Sequence, residues 1–121
     1  MSDFLTLKVE IIKNFGTPCA VVDLNVLEKN ISRVQKICDN AGLSNRPHIK
    51  THKSGEVARM QIDAGASGVT CQKLGEAEVM AAAGITDILI ATNLLGAAAS
   101  GALSALQSRF SLKVCADNTY S

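Results

Sequence analysis

A chain of 121 residues, 47% apolar and 19% charged with a formal net charge of +1, has the length of a single domain and no electrostatic footprint for nucleic acid or an anionic membrane surface. Aromatic residues at 3%, with no Trp, remove the stacking platforms that a single-strand nucleic-acid binder uses. The opening Met1-Ser2-Asp3-Phe4 lacks the basic and apolar regions of a secretory leader, and no apolar run approaches the ~20 residues that span a bilayer; a cytoplasmic protein with no membrane partner is expected.

Leu7, Val9, Ile11 and Ile12 suggest a short amphipathic lead-in helix that Gly16-Thr17-Pro18 ends. Residues 19–24, Cys19-Ala20-Val21-Val22-Asp23-Leu24, form a compact apolar run of strand length. Asn25 with Glu28 three positions on reads as a capping box, followed by Leu27, Ile31, Val34 and Ile37 at helical spacing until Ala41-Gly42. The unit then repeats. A second strand is expected over 45–50, a helix capped by Ser54 and stopped by Gly65, a third strand over 68–72, a helix over 74–83, a fourth strand over 87–92, a helix over 97–108 and a fifth strand over 112–116.

Strands alternating with helices, the strands continuously apolar, indicate an α/β domain whose parallel sheet is covered by helices. Two architectures fit: an open five-stranded flavodoxin-like sheet, complete at this length, or part of a (β/α)8 barrel, which needs roughly twice as many residues. Periodicity does not separate them. Either one places its site at the carboxyl ends of the strands, where Lys50, His52, Gln72, Thr92, Asn93, Asp117 and Asn118 fall. Cys19, Cys38, Cys71 and Cys115 stand singly, without the close pairs of a zinc or redox site, and read as buried thiols. Gly96-Ala97-Ala98-Ala99-Ser100-Gly101 lacks a Walker lysine and dinucleotide spacing and reads as a helix start.

The segment Arg46-Pro47-His48-Ile49-Lys50-Thr51-His52-Lys53 carries the chemistry. If it is extended throughout, Arg46, His48, Lys50 and His52 share one face, since strand side chains alternate. A primary amine among cationic neighbours is disposed to lose its proton and condense with an aldehyde. The same eight residues are also compatible with a solvated basic edge strand.

Together with Thr17-Pro18 before Val21-Val22-Asp23-Leu24, Leu27-Glu28-Lys29-Asn30-Ile31, Cys71-Gln72-Lys73-Leu74-Gly75-Glu76-Ala77-Glu78 and Asp87-Ile88-Leu89-Ile90, this segment resembles the D-threonine aldolase and D-serine dehydratase family. These are fold-type III pyridoxal-phosphate enzymes, relatives of alanine racemase. The likeness runs in order from about Thr17 to Asn118. It implies a partial TIM-type barrel of the alanine racemase N-terminal kind, a single α/β domain over 1–121, with the later strands and a C-terminal β-domain lying beyond this sequence.

The resemblance further implies that Lys50 anchors pyridoxal 5'-phosphate covalently, with Lys53 as the rival amine. His48 and His52 are expected as neutral hydrogen-bonding groups near the cofactor, and Gln72 and Asn93 as residues lining its ring. Arg46 is open to a carboxylate or a structural ion pair, and Glu76 and Glu78 are taken as structural, at a helix start where negative charge is favoured. Cys71-Gln72-Lys73 favours the aldolase side, cleaving a small-molecule D-3-hydroxy amino acid to glycine and an aldehyde. D-serine dehydratase chemistry is the alternative, and a noncatalytic cofactor carrier or an inert fragment are others. A divalent metal, Mn or Zn, is implied for the full-length family, with a His and a Cys ligand from later in the family's chain, so no metal ligand is assigned in this one. A homodimer is implied for the full-length form, and little or no catalysis by these 121 residues alone.

Overall fold

In the computed structural model, which describes residues 2–117 and Thr119, three parallel strands stand in sequential order: β1 (Val69–Cys71), β2 (Asp87–Asn93) and β3 (Ser111–Cys115). Between and before them run α1 (Ser2–Phe15), α2 (Leu24–Asn40), α3 (Gly55–Asp63), α4 (Leu74–Ala82) and α5 (Ala97–Gln107). Sequential order without a reversal is barrel winding; a doubly wound sheet reverses its strand order at a switch point. The partial barrel is therefore the architecture, and the flavodoxin-like alternative falls.

The two faces of the sheet differ in kind. Side chains paired across a parallel ladder share a face, so Val69, Ile88 and Leu112 form one row and Cys71, Ile90 and Val114 the next. Val69, Cys71, Ile88 and Ile90 are buried with Ile49, Ala58, Ala77 and Met80 in the core beneath the helices. Thr70, Leu89 and Lys113 make the alternating row on the opposite face, the one a closed barrel would turn inward.

Residues 45–49 run parallel beside β1 and act as a fourth strand, though only the His48–Thr70 pair registers as a bridge. Three backbone–backbone hydrogen bonds hold them: Ser67 N–H to Asn45 O at 2.9 Å, Thr70 N–H to Pro47 O at 2.8 Å and Ile49 N–H to Thr70 O at 2.9 Å. The expected strand over 45–50 thus ends one residue early, where the chain turns.

The expected strand over 19–24 does not form. Val21 and Val22 are 64% and 59% exposed. A continuous apolar strand needs a partner edge and cover on both faces, and these residues find neither. Asp23 instead becomes the cap of α2, its side chain accepting from Val26 N–H at 3.2 Å, so the Asn25/Glu28 capping box lies inside the helix and is not the cap. The cysteine reading also needs correction. All four are free, but only Cys71 is buried, with Cys38 intermediate and Cys19 and Cys115 exposed, because the runs holding the latter two lie at uncovered positions. Burial pushes the Cys71 thiol up to about 11, with the Glu76 charge adding to the effect, so it is inert as a nucleophile.

The other boundaries fall within one or two residues of expectation. Ser54 Oγ caps α3 by accepting from Val57 N–H at 3.2 Å, and Gly65, at φ +115°, follows its end. Glycine at position 68 has a steric reason. A Cβ there would meet the Asp87 carbonyl oxygen at 2.6 Å and overlap the Arg46 guanidinium. Gly68→Ala is expected to destabilise the fold by about 1–3 kcal/mol, the usual cost of overpacking, read as a lower urea midpoint with unchanged slope.

Candidate functional site at the strand ends

Beyond Ile49 the chain leaves the sheet in a turn closed by Lys53 N–H donating to Ile49 O at 2.8 Å. Lys50 is the first residue of that turn. It is exposed, and among the described residues its Nζ makes no hydrogen bond or ion pair, while its backbone N–H donates to His48 Nδ1 at 3.2 Å. Lys53 adopts φ +51°, uncommon for a side chain other than glycine. Its Nζ lies 3.3 Å from Glu76 Oε1, and the Glu76 side chain is 7% exposed.

The single face expected for Arg46, His48, Lys50 and His52 holds only for its first half. Arg46 and His48 lie on the inward row: Arg46 Nη1 is 2.7 Å from Asp87 Oδ1, and His48 pairs with Thr70. After the turn, His52 faces α3. Its Nδ1 accepts from Ser54 N–H at 3.1 Å, and its Nε2 is buried without a hydrogen-bond partner, as is Gln61 Oε1. Burial holds the His52 imidazole below the ordinary histidine value, opposed by the Gln61 side chain and the Ser54 backbone. Gln61 bears on the ring electrostatically, yet the bond between them is not formed in this geometry. Through the Ser54 N–H bond His52 supports the turn.

Gln72 is exposed at the end of β1, and its backbone N–H donates to Glu76 Oε2 at 2.8 Å. That bond is the foremost cause of the lowered Glu76 carboxyl pKa, with Lys53 contributing further. Asn93, half-buried, ends β2 past an irregularity that pairs it with Cys115. Thr92 is half-buried beside it. Asp117 follows β3, and Asn118 lies outside the described residues. The carboxyl ends thus carry Lys50, Gln72 and Asn93 on successive strands, with His48 one step inward. A cavity of about 270 Å³ bordered by Arg59, Ser67, Thr86 and Asp87 lies instead at the amino ends, away from these groups.

Arg46 is accounted for by structure. It and Lys113, whose Nζ lies 2.7 Å from the same Asp87 Oδ1, bracket that carboxylate at the amino end of the inward face. The Arg46 hydrogen bond, ahead of Lys113, holds the Asp87 carboxyl below its ordinary value of 3.8. A depressed folded-state value gives stability that is full above 3.8 and lost as pH falls below it through the folded value. Asp87→Asn should therefore narrow the difference in urea midpoint between about pH 5 and about pH 3 relative to the parent.

An exposed primary amine thus stands at the end of an edge strand in a partial (β/α) barrel, with an imidazole one step inward and two amides at the ends of the next two strands. The alanine racemase N-terminal domain family matches residues 22–118, and the chain belongs to that family. It is 51% identical over 78 residues to D-threo-3-hydroxyaspartate dehydratase of Delftia sp. (strain HT23), covering 64% of this chain and 20% of that one. To D-threonine aldolase of Arthrobacter sp it is 39% identical over 104 residues, 86% of this chain and 27% of the relative. The crystal structure of D-threonine aldolase from Filomicrobium marinum matches with a TM-score of 0.82 at 39% identity, over 84% of this chain and 28% of that chain. The chain thus spans about a quarter of the length of these relatives. The family likeness carried by the sequence motifs stands.

Glu76 is structural, as the sequence reading has it, but its contacts with the Gln72 N–H and Lys53 go beyond the helix-start charge that reading invoked. The signal was present in its spacing: it is the third residue of α4 after the cap position Lys73, where a glutamate can reach back to the backbone before the helix.

Proposed function

We propose that this chain is the cofactor-anchoring part of a pyridoxal-phosphate-dependent lyase acting on D-3-hydroxy amino acids, in the aldolase direction that yields glycine and an aldehyde. The observation that carries the reading is the contrast between two neighbouring amines: Lys50 is exposed at a strand end and unengaged among the described residues, whereas Lys53 is paired with Glu76. The donor set fits the cofactor, an amine for its aldehyde and flat polar groups for its ring. When bound, pyridoxal 5'-phosphate supplies an electron sink for the bond broken at the substrate's α-carbon.

In this reading Lys50 Nζ would hold the cofactor through its aldehyde. His48, which accepts the Lys50 N–H, orients the start of the turn. Gln72 and Asn93, at the ends of the next two strands, would line the cofactor's ring, and His52 would act on the anchor through the turn it supports. Such an enzyme would work in the cytoplasm as a homodimer with a divalent metal. No helix of the described residues is long and apolar enough to cross a membrane.

Dehydratase chemistry is the second reading, favoured by the 51% identity to a dehydratase. D-threonine, D-serine and 3-hydroxy-D-aspartate, offered to the full-length protein with Mn²⁺ or Zn²⁺, separate the two. Glycine with an aldehyde supports the aldolase, a keto acid with ammonia the dehydratase. Cofactor bound without either product would leave only a carrier.

A further inference from the structure

We propose that Glu76 is a positioning residue that decides which of two lysines, three residues apart, engages an aldehyde: it holds Lys53 and leaves Lys50 free. The inference rests on the reading of Lys50 as the anchor and extends it to what enforces that choice. Both amines flank the same turn, and both are chemically capable of condensing with a carbonyl. Their surroundings differ. Lys53 Nζ sits 3.3 Å from Glu76 Oε1, and although the Lys53 side chain is 56% exposed, its partner carboxylate is 7% exposed.

Releasing Lys53 would strip its cation from a carboxylate that has almost no access to water, and removing one member of a buried pair is the costly direction. The other carboxylate oxygen, Oε2, accepts from Gln72 N–H at 2.8 Å and so cannot swing away without freeing a second group. One glutamate therefore ties the end of β1 to the far side of the Lys50 turn. The left-handed φ of Lys53 and its N–H bond to Ile49 O place its side chain toward α4. Lys50, at the near side of that turn, keeps its amine in solvent.

Competitive reductive methylation reads this without any cofactor. Each amine attacks formaldehyde to form a C–N bond, water leaves, and cyanoborohydride delivers hydride to carbon while nitrogen keeps a solvent proton. Peptide mass spectrometry follows each lysine against exposed Lys8 and Lys29 of the same chain. In the parent, Lys53 should react roughly fivefold or more slowly than Lys50, the factor expected of an ion pair with one buried partner. Equal rates in the parent would overturn the proposal, with no substitution needed.

In Glu76→Gln the Lys53 rate should rise to that of Lys8, with Lys50 unchanged, and Glu76→Asp should restore part of the protection. A general loosening would raise the rates of many lysines together, and that result also overturns it, as does a Lys53 rate unmoved in Glu76→Gln. The same variants treated with limiting pyridoxal 5'-phosphate and borohydride should change from adduct on Lys50 alone to adduct on both. Failure to find adduct on Lys50 in the parent would sink the anchor reading, while the methylation rates still decide the hold on Lys53.

Discussion

Lys50→Ala is expected to remove the borohydride-fixed pyridoxal adduct from the chain completely, together with its visible absorbance. The effect should be all-or-none, because condensation with an aldehyde needs a nitrogen lone pair on a side chain long enough to leave the turn, and alanine offers neither. Stability should scarcely move. Lys50 is exposed and unpartnered among the described residues, and surface substitutions of that kind stay within about 0.5 kcal/mol. Lys50→Arg sharpens the test: it preserves the positive charge and much of the length, yet a guanidinium does not deprotonate in proteins and cannot condense. Loss of adduct in both variants assigns the anchor to the amine and not to the charge. Adduct retained at parental stoichiometry in Lys50→Ala would falsify the assignment.

What the sequence disclosed depended on whether a feature was local. Ser54 and Gly65 mark the ends of α3 through their own backbone chemistry, and the helix lies where they put it. The same holds for α4, α5 and the three sheet strands, whose apolar runs are buried or ladder-paired within this chain. Residues 19–24 carry an equally apolar pattern, but they pair with no described strand and stay exposed. Periodicity reports that a segment suits burial, not that a partner is there to bury it.

The site shows the same division. Alternation placed Arg46 and His48 on the inward face because the backbone is extended there. It failed for His52, since a turn closed by Lys53 N–H to Ile49 O interrupts the period, and no residue in that stretch is a glycine or proline that would announce it. The Lys53–Glu76 pair spans 23 positions in sequence and depends on β1 lying next to residues 45–49. Only the strand order reveals it. Under the proposal made above, the preference for Lys50 over Lys53, which the resemblance implied, would rest on the different surroundings of the two amines.

That basis in turn depends on Ile49, the residue between His48 and Lys50. Ile49 is fully buried in the core with Val69, Met80 and Ile88, and its backbone bonds both to Thr70 in the sheet and to Lys53 across the turn. Ile49→Ala keeps those backbone bonds but removes the side chain that pins the segment to the helix layer. A loss of about 2–5 kcal/mol is expected, the range for truncating a buried isoleucine, and against the roughly 5–15 kcal/mol of a whole domain it should be plain in a urea melt. Ile88→Ala should cost a similar amount from near the amino end of β2, away from the turn. The two should part company in lysine reactivity: only Ile49→Ala should release the Lys50–Lys53 turn and bring the two methylation rates together. A cost below about 1 kcal/mol for Ile49→Ala would mean that the site collapses around the gap or that residues 45–49 are not anchored to the core at all, and the turn would then have no fixed base from which to present Lys50.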